Sequence, residues 1–453
     1  MDIKQRIENS PMSAFQWLVV AVCTFLNALD GFDVLAMAFT ANQVSEEFSL
    51  NGAQLGVLLS AGLFGMAAGS LFLAPFADLF GRRPMLLGTT ALAAAGMFLS
   101  STADSMTSLA IWRIVTGLGV GGILACTNVI TSEYSNGRWR GMAVSIYTAG
   151  YGVGATLGGM AAVWLQAHYG WRSVFIFGGV LTMVAFLALL AVVPESVDFL
   201  LTRRTVRTTQ KLGRLARKMR LGTEDVVLPE QGGTASGSGR NAVFTLFSPQ
   251  TRRVTTVIWV AFFAVMFGFY FVNSWTPKLL VTAGMTESQG VVGGLMLTLG
   301  GTFGSLLFGA LTAKWAVRKV LIAFTVLSSV LMVVFISAVG VLALAFVLGV
   351  LVGMLINGCV AGLYTLAPAS YAPQSRGTGV GWAIGIGRFG AILAPLAAGT
   401  LLDASWTAGQ LYLGVGVVVL VAAVALALLR SPGTGNAQQP APAQAAVQPA
   451  KAE

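Results

Sequence analysis

The chain has 453 residues, 56% of them hydrophobic and only 10% charged, and its mean hydropathy is +0.78. A water-soluble domain carries about 25% charged residues. Lipid must therefore be the main solvent, which excludes a cytosolic enzyme, a nucleic-acid-binding protein and a disordered scaffold; the net charge of +10 has to be explained within a membrane.

Residues 1–13 are polar and read as a cytoplasmic N-terminus without a cleavable signal. A membrane helix needs roughly 20 mostly apolar residues. Twelve runs qualify: 14–36, 54–74, 84–102, 108–132, 141–165, 172–193, 254–276, 290–313, 318–339, 341–368, 377–401 and 408–429. They predict an all-α membrane protein of twelve transmembrane helices in two six-helix halves, 14–193 and 254–429. A polar, basic cytoplasmic loop, 194–253, with a Gly/Ser patch at Gly232–Gly239, joins the halves. The tail, 430–453, is rich in Ala, Pro and Gln and reads as disordered and cytoplasmic.

Lys and Arg collect on the cytoplasmic side of a membrane protein. With both termini inside, only Arg113, Arg172, Lys278 and Arg388 fall elsewhere. The positive charge is thus a topology signal, and no nucleic acid is implied. Cys23, Cys126 and Cys359 each lie inside separate apolar runs, so neither a disulfide framework nor a metal site is expected. The sole histidine, His168, falls at the outer end of the fifth span, which leaves proton chemistry to carboxylates.

The halves repeat. At a shift of about 235 residues, APFADLFGRRPML at 74–86 falls on GALTAKWAVRKVL at 309–321, and Trp171 falls on Trp406. Duplicated membrane halves point to a transporter with its substrate site between them.

Two motifs resemble the major facilitator superfamily. Asp78-Leu79-Phe80-Gly81-Arg82-Arg83 is close to the family's G-x-x-x-D-R-x-G-R-R, departing at Ala74 and Leu79. Arg113 with Gly117, Gly119, Gly121 and Gly122 is similar to its R-x-x-x-G-x-G. Two more resemble the aromatic acid:proton symporter branch: Asp30-Gly31-Phe32-Asp33, like D-G-[YF]-D, and RGTGVGWAIGIGRFGAILAP at 376–395. The superfamily resemblance spans 14–430. Lys314 stands where the second-half loop motif has an acid, so no gating role is carried to it.

The resemblance implies proton-coupled import of an aromatic carboxylate, such as a benzoate or hydroxybenzoate, by alternating access. It implies a bacterial inner-membrane protein, expected as a monomer, whose partners are that acid, protons and the bilayer, with no cofactor. Two rivals remain: a carrier of another organic acid such as muconate, or a drug:proton antiporter. The antiporter fits poorly, because Gly154–Gly159 lacks that branch's Gly-Pro and an intramembrane arginine suits an anion. No nucleophile–base pair is apparent, so no catalytic residue is assigned.

Asp30, Asp33, Arg113, Glu133 and Arg388 fall inside spans. Each costs about 2.5–3.5 kcal/mol at mid-membrane, which marks them as functional candidates. Asp30 and Asp33 are three residues apart and share a helix face. Mutual repulsion and burial both disfavour charge there, which suits a proton carrier; Glu133 is a third candidate for proton coupling. Arg388 offers a planar fork that matches a carboxylate; the alternative is an ion pair with Asp30, Asp33 or Glu133. Arg113 and Glu133 are about 30 Å apart on one helix and cannot pair. Arg113, near the outer end, either binds substrate or snorkels.

Gating candidates are Asp78, Gly81, Arg82 and Arg83 after the second span, together with Arg376. Asp78 can meet a helix N-terminus across the half interface, and the arginines can meet acids or lipid phosphates. Glu133 with Arg138 and Arg140 reads as a cytoplasmic gate network. Tyr147, Tyr151, Tyr270 and Trp382, with Asn273 and Asn357, are candidate substrate contacts, and Trp275 and Tyr364 are further aromatics in reach. Their alternative is bundle packing, the interfacial belt or interhelical hydrogen bonding. The pairs Gly65/Gly69, Gly117/Gly121 and Gly154/Gly158 read as helix contacts.

Overall fold

A computed structural model describes residues 3–202, 206–219, 248, 251–371 and 376–429. The side chains of Asp78 and Arg376, the Gly232–Gly239 patch and the tail lie outside the described residues. Twelve long helices appear in the expected order: α1 Ala14–Glu47, α2 Gly52–Ala68, α3 Arg82–Ser101, α4 Met106–Glu133, α5 Arg140–Tyr169 and α6 Arg172–Val192. The second half holds α7 Arg252–Thr282, α8 Glu287–Thr312, α9 Val317–Ser337, α10 Leu342–Ser370, α11 Arg376–Asp403 and α12 Ala408–Leu428. A π turn, Gly69–Leu73, prolongs α2.

Helix starts follow local chemistry. Reciprocal caps join Ser13 to Gln16, Asn51 to Gln54, Ser105 to Ser108, Thr286 to Gln289 and Thr407 to Gln410, satisfying orphan N–H groups. α1 continues to Glu47, eleven residues past its apolar run. Its last turn has left the hydrocarbon, where Glu47 Oε2 accepts from Trp171 Nε1 at 2.6 Å and Arg172 Nη1 at 2.8 Å.

Eleven of these helices are long and apolar enough to cross a membrane by composition alone. The exception is α5, whose glycines dilute its hydropathy and serve close packing instead. A Cβ on Gly154 would stand 1.9 Å from the Ala28 carbonyl oxygen, and one on Gly31 2.1 Å from that of Tyr151. Gly65 and Gly117 bring α2 against α4 in the same way, and Gly300, Gly304 and Gly353 bring α8 against α10. The expected GxxxG contacts are therefore present, in matching pairs of the two halves.

The halves meet through α2 against α11, α5 against α8 and α1 against α7. The two ends of the bundle differ. At the end opposite the chain termini, the far end, one apolar cluster spans both halves, with Phe39, Phe175, Trp275 and Tyr412 among its members. At the end bearing the termini, the near end, the core divides into one cluster per half, joined among the described residues around Tyr270, Ala391 and Ile392. Polar side chains on the near-end stretches of α4, α5 and α10 are exposed: Asn128, Ser145, Thr148, Tyr364 and Thr365. The halves are closed against each other at the far end and stand apart at the near end.

After α6, short helices Val197–Thr202 and Val206–Lys218 cover the near end of the first half. Leu212, Leu215 and Met219 are buried with Ile7 and Tyr134.

Candidate functional site

Asp30 and Asp33 both lie deep in α1, 5% and 3% exposed, but their surroundings differ. Asp33 is held by Arg113 of α4: Nη1 donates to Oδ1 at 2.6 Å, and Nη2 donates to the Asp33 carbonyl at 3.0 Å. Arg113 is 2% exposed and packs over the Phe175 ring. Gly62 makes the room, since a Cβ there would stand 3.1 Å from Nη2. Both expectations for Arg113 are thereby corrected. It neither snorkels nor offers a free fork to substrate, because seven residues into α4 is already about 10 Å along the helix and inside the bundle.

Asp30 has no such partner. Its Oδ1 is buried without a hydrogen bond. Close enough to interact electrostatically are Asp33, Tyr147, Tyr151, Tyr270 and, from α11 of the other half, Arg388. Arg388 is half-buried and makes no hydrogen bond or ion pair among the described residues. Its electrostatic neighbours are Asp30, Tyr151, Tyr270 and Tyr364. The alternative of a structural salt bridge to Asp30, Asp33 or Glu133 is not formed. An unpaired guanidinium and an unpaired carboxyl, one from each half, thus lie within electrostatic reach of each other and of the same tyrosines.

Tyr151, Asn273 and Asn357 also come together, lining a cavity of about 20 Å³ between the halves, room for one water. Asn273 Nδ2 donates to the Phe269 carbonyl at 2.8 Å, and Asn357 Oδ1 accepts from Ser305 Oγ at 3.3 Å. Tyr147 belongs to the interior of the first half, where its hydroxyl pairs with that of Thr127 at 2.9 Å. Trp382 does not join the site. It is 47% exposed and stacks on Trp259 of α7, more than a helical turn nearer the termini than Arg388.

Of the gating candidates, Gly81, Arg82 and Arg83 belong to a network within the first half. Arg82 pairs with Glu133, whose Oε2 accepts from Ser196 Oγ at 2.7 Å and the Val197 N–H at 3.1 Å. The Arg83 N–H donates to Glu195 Oε1 at 3.1 Å, and its guanidinium caps α6 through the carbonyls of Val193 and Leu190. Gly81 has φ +107°, and a Cβ there would meet Glu195 Oε2 at 2.5 Å, so glycine is required twice over. Glu133 therefore does not pair with Arg138 or Arg140, nor does it approach Asp30 and Asp33. The nearest donors in sequence lose to Arg82, which the turn after α2 brings across to it. Arg140 instead reaches Glu8 at 3.6 Å, and Arg138 lies over Trp139. Glu195 and Ser196 are functional candidates that only the fold identifies, by bringing them to Arg83, Arg82 and Glu133. Among the described residues no His, Cys, Asp and Glu cluster is placed to hold a metal ion.

The sequence matches the profile of the Major Facilitator Superfamily over residues 20–306 and 288–452. It is 31% identical over 413 residues to the 4-hydroxybenzoate transporter PcaK of Pseudomonas putida, covering 91% of this chain and 92% of that one. A gallate transporter of Pseudomonas putida is 31% identical over 411 residues, covering 89% of each. Among solved structures, the partially occluded inward open xylose transporter XylE of E. coli superposes with TM-score 0.68 at 16% identity, over 91% of this chain and 97% of that one.

Proposed function

Because the chain belongs to the major facilitator superfamily, we propose that it imports an aromatic carboxylate of the benzoate or hydroxybenzoate kind together with a proton, by alternating access across a bacterial inner membrane. It is a membrane transporter and not an enzyme. The observation that carries the reading is the unpaired Arg388 guanidinium of one half within electrostatic reach of the unpaired Asp30 carboxyl of the other. The relatives named for 4-hydroxybenzoate and gallate support an aromatic acid as the cargo.

Charge balance supplies the coupling. In the empty site, the Asp30 carboxylate is the counter-charge of Arg388. An arriving substrate carboxylate competes for the same guanidinium and is repelled by Asp30, at a depth where unbalanced charge is costly. A proton on Asp30 removes the competitor and frees the two-bond fork for the substrate. The loaded site then has the same net charge as the empty one, so one proton travels with one carboxylate. Tyr151, Tyr270 and Tyr364 offer ring faces and hydroxyls to the aromatic body. While the substrate site loads, Asp33 stays neutralised by Arg113.

Muconate carries two carboxylates and needs a second free cation, a part Arg113 cannot play while it holds Asp33. A lipophilic cation is repelled by Arg388. Lys and Arg distribution puts the near end, with both termini and the Arg82–Glu133 network, in the cytoplasm. Each chain supplies both halves of the site, so a monomer suffices.

The test is uptake into proteoliposomes of a panel of labelled aromatic acids under an imposed pH gradient. Accumulation of at least one acid, abolished by a protonophore that leaves exchange intact, is expected. Accumulation indifferent to the protonophore rejects symport, and no uptake of any aromatic acid rejects the cargo.

A further inference from the structure

A second cavity of about 20 Å³ lies wholly inside the first half. It is walled by α1, α3, α4 and α6 and takes no residue from the other half. Asp30 and Asp33 both line it, with Thr116 and Thr182 as its other polar neighbours. A single water needs about 10–15 Å³ and two to four polar partners, so the space admits one water and nothing larger. The threonine hydroxyls already donate to the Trp112 carbonyl at 2.9 Å and the Gly178 carbonyl at 2.7 Å. They keep lone pairs but no proton to offer. Asp30, 5% exposed, still has an unpartnered oxygen, Oδ1.

We infer that this cavity binds one water molecule that bridges Asp30 and Asp33 and relays the transported proton between them. The inference rests on the proton-coupled reading above and places the proton's path apart from the substrate's. The transfer balances. The Asp33 O–H bond breaks as its proton passes to the water oxygen, a water O–H bond breaks as its proton passes to an Asp30 oxygen, and the water is restored. One negative charge moves from Asp30 to Asp33.

The other charged or titratable groups around the pair are Arg113 on Asp33, and Arg388, Tyr147, Tyr151 and Tyr270 around Asp30. Arg113 opposes protonation of Asp33 as long as their bond holds, so the relay and a loosening of the α1–α4 contact go together. The cavity's walls all belong to one half, so it moves as a unit when the halves rock. Arg388 moves with the other half. The proton can therefore reach Asp30 without crossing the substrate position.

The experiment uses the full-length protein in proteoliposomes with Thr182→Leu, which fills the cavity without touching a charge, and Thr182→Ser, which keeps both space and hydroxyl. Thr182→Leu should lower pH-driven accumulation about tenfold, the size of coupling that one side chain can carry. Substrate exchange should hold, and Thr182→Ser should behave as the parent. Infrared difference spectra on a pH jump should show a water O–H band in the parent and in Thr182→Ser, absent in Thr182→Leu. Full accumulation by a folded Thr182→Leu variant, or a water band that persists in it, overturns the inference. Should Thr182→Leu fail to fold, Val120→Leu narrows the same cavity from α4 and carries the same two readouts. If the parent itself shows no proton-driven uptake, the symport reading fails, while the water band still tests the site.

Discussion

Asp403, the last residue of α11, lays its carboxylate across the start of α2 in the other half: Oδ1 accepts from the Gly52 N–H at 2.6 Å and Oδ2 from the Ala53 N–H at 2.8 Å. These are orphan donors at a helix N-terminus, where a negative charge is favoured. Below the contact, glycines let the two backbones touch, since a Cβ on Gly399 would stand 2.1 Å from the Gly52 carbonyl oxygen. Gln43 Nε2 adds a longer bond, to Glu287 Oε2 at 3.4 Å, across α1 and α8. All three features lie at the closed far end, so they must break for that end to open.

Asp403→Asn should therefore favour the far-end-open state. A charge at an exposed helix terminus contributes about 0.3–1 kcal/mol, which corresponds to roughly a two- to fivefold shift in population. Spin-label distances between the start of α2 and the end of α11 would report it. An unchanged distance distribution would remove Asp403 from any gating account.

Asp30 and Asp33 should separate by phenotype. Asp30→Asn mimics the protonated carboxyl, so substrate exchange should survive while pH-driven accumulation disappears. Asp33→Asn leaves the Arg113 charge buried without its partner, which should destabilise the protein by about 3–5 kcal/mol. Thermal unfolding in detergent, together with exchange assays, distinguishes the two. A stable Asp33→Asn protein that keeps full pH-driven accumulation would remove Asp33 from both the ion pair's structural role and the relay.

Glu133 should behave as a member of the Arg82 network and not as a proton carrier. Glu133→Gln and Arg82→Gln should each slow transport while leaving it sensitive to a protonophore. Their effects on thermal stability should be non-additive, with a coupling of about 0.5–3 kcal/mol in a double-mutant cycle. Loss of proton drive with exchange intact in Glu133→Gln would restore it to the proton path.

The twelve spans were legible because lipid forces each helix to carry a continuous apolar run, and the repeat and the D-G-F-D and eleventh-span motifs are local strings. Even α5, the least apolar, kept a readable pattern of small residues. Partners were not legible in the same way. Arg113 meets Asp33 from 80 residues away, and position within a helix says nothing about which neighbour it faces. Glu133 looked to Arg138 and Arg140 because they follow it in sequence, whereas the turn after α2 delivers Arg82. Trp382 sits in the signature that also holds Arg388, yet six residues on a 3.6-residue period put it on another face of α11. Asp403 had no motif to mark it, and its role depends on where α2 begins in space.

The last prediction concerns Arg388. It makes no hydrogen bond or ion pair among the described residues, so a replacement that keeps its positive charge leaves Asp30 with its counter-charge and strands no buried acid. Arg388→Lys keeps the charge and should fold. A point-like ammonium cannot reproduce the two parallel bonds of a guanidinium to a carboxylate. Hydrogen bonds to charged groups are worth about 1.5–3 kcal/mol each and do not add. The expected loss is about 2–4 kcal/mol of binding, roughly 30- to 1000-fold in affinity. Arg388→Gln should bind more weakly still, and its residual binding should no longer depend on the protonation of Asp30, because no shared cation remains for the two carboxylates to compete over. Calorimetric titration of purified protein with the transported acid at two pH values reads both effects. Near-parental affinity in a well-folded Arg388→Lys variant that has lost transport would reject the substrate clamp and leave Arg388 acting on Asp30 alone.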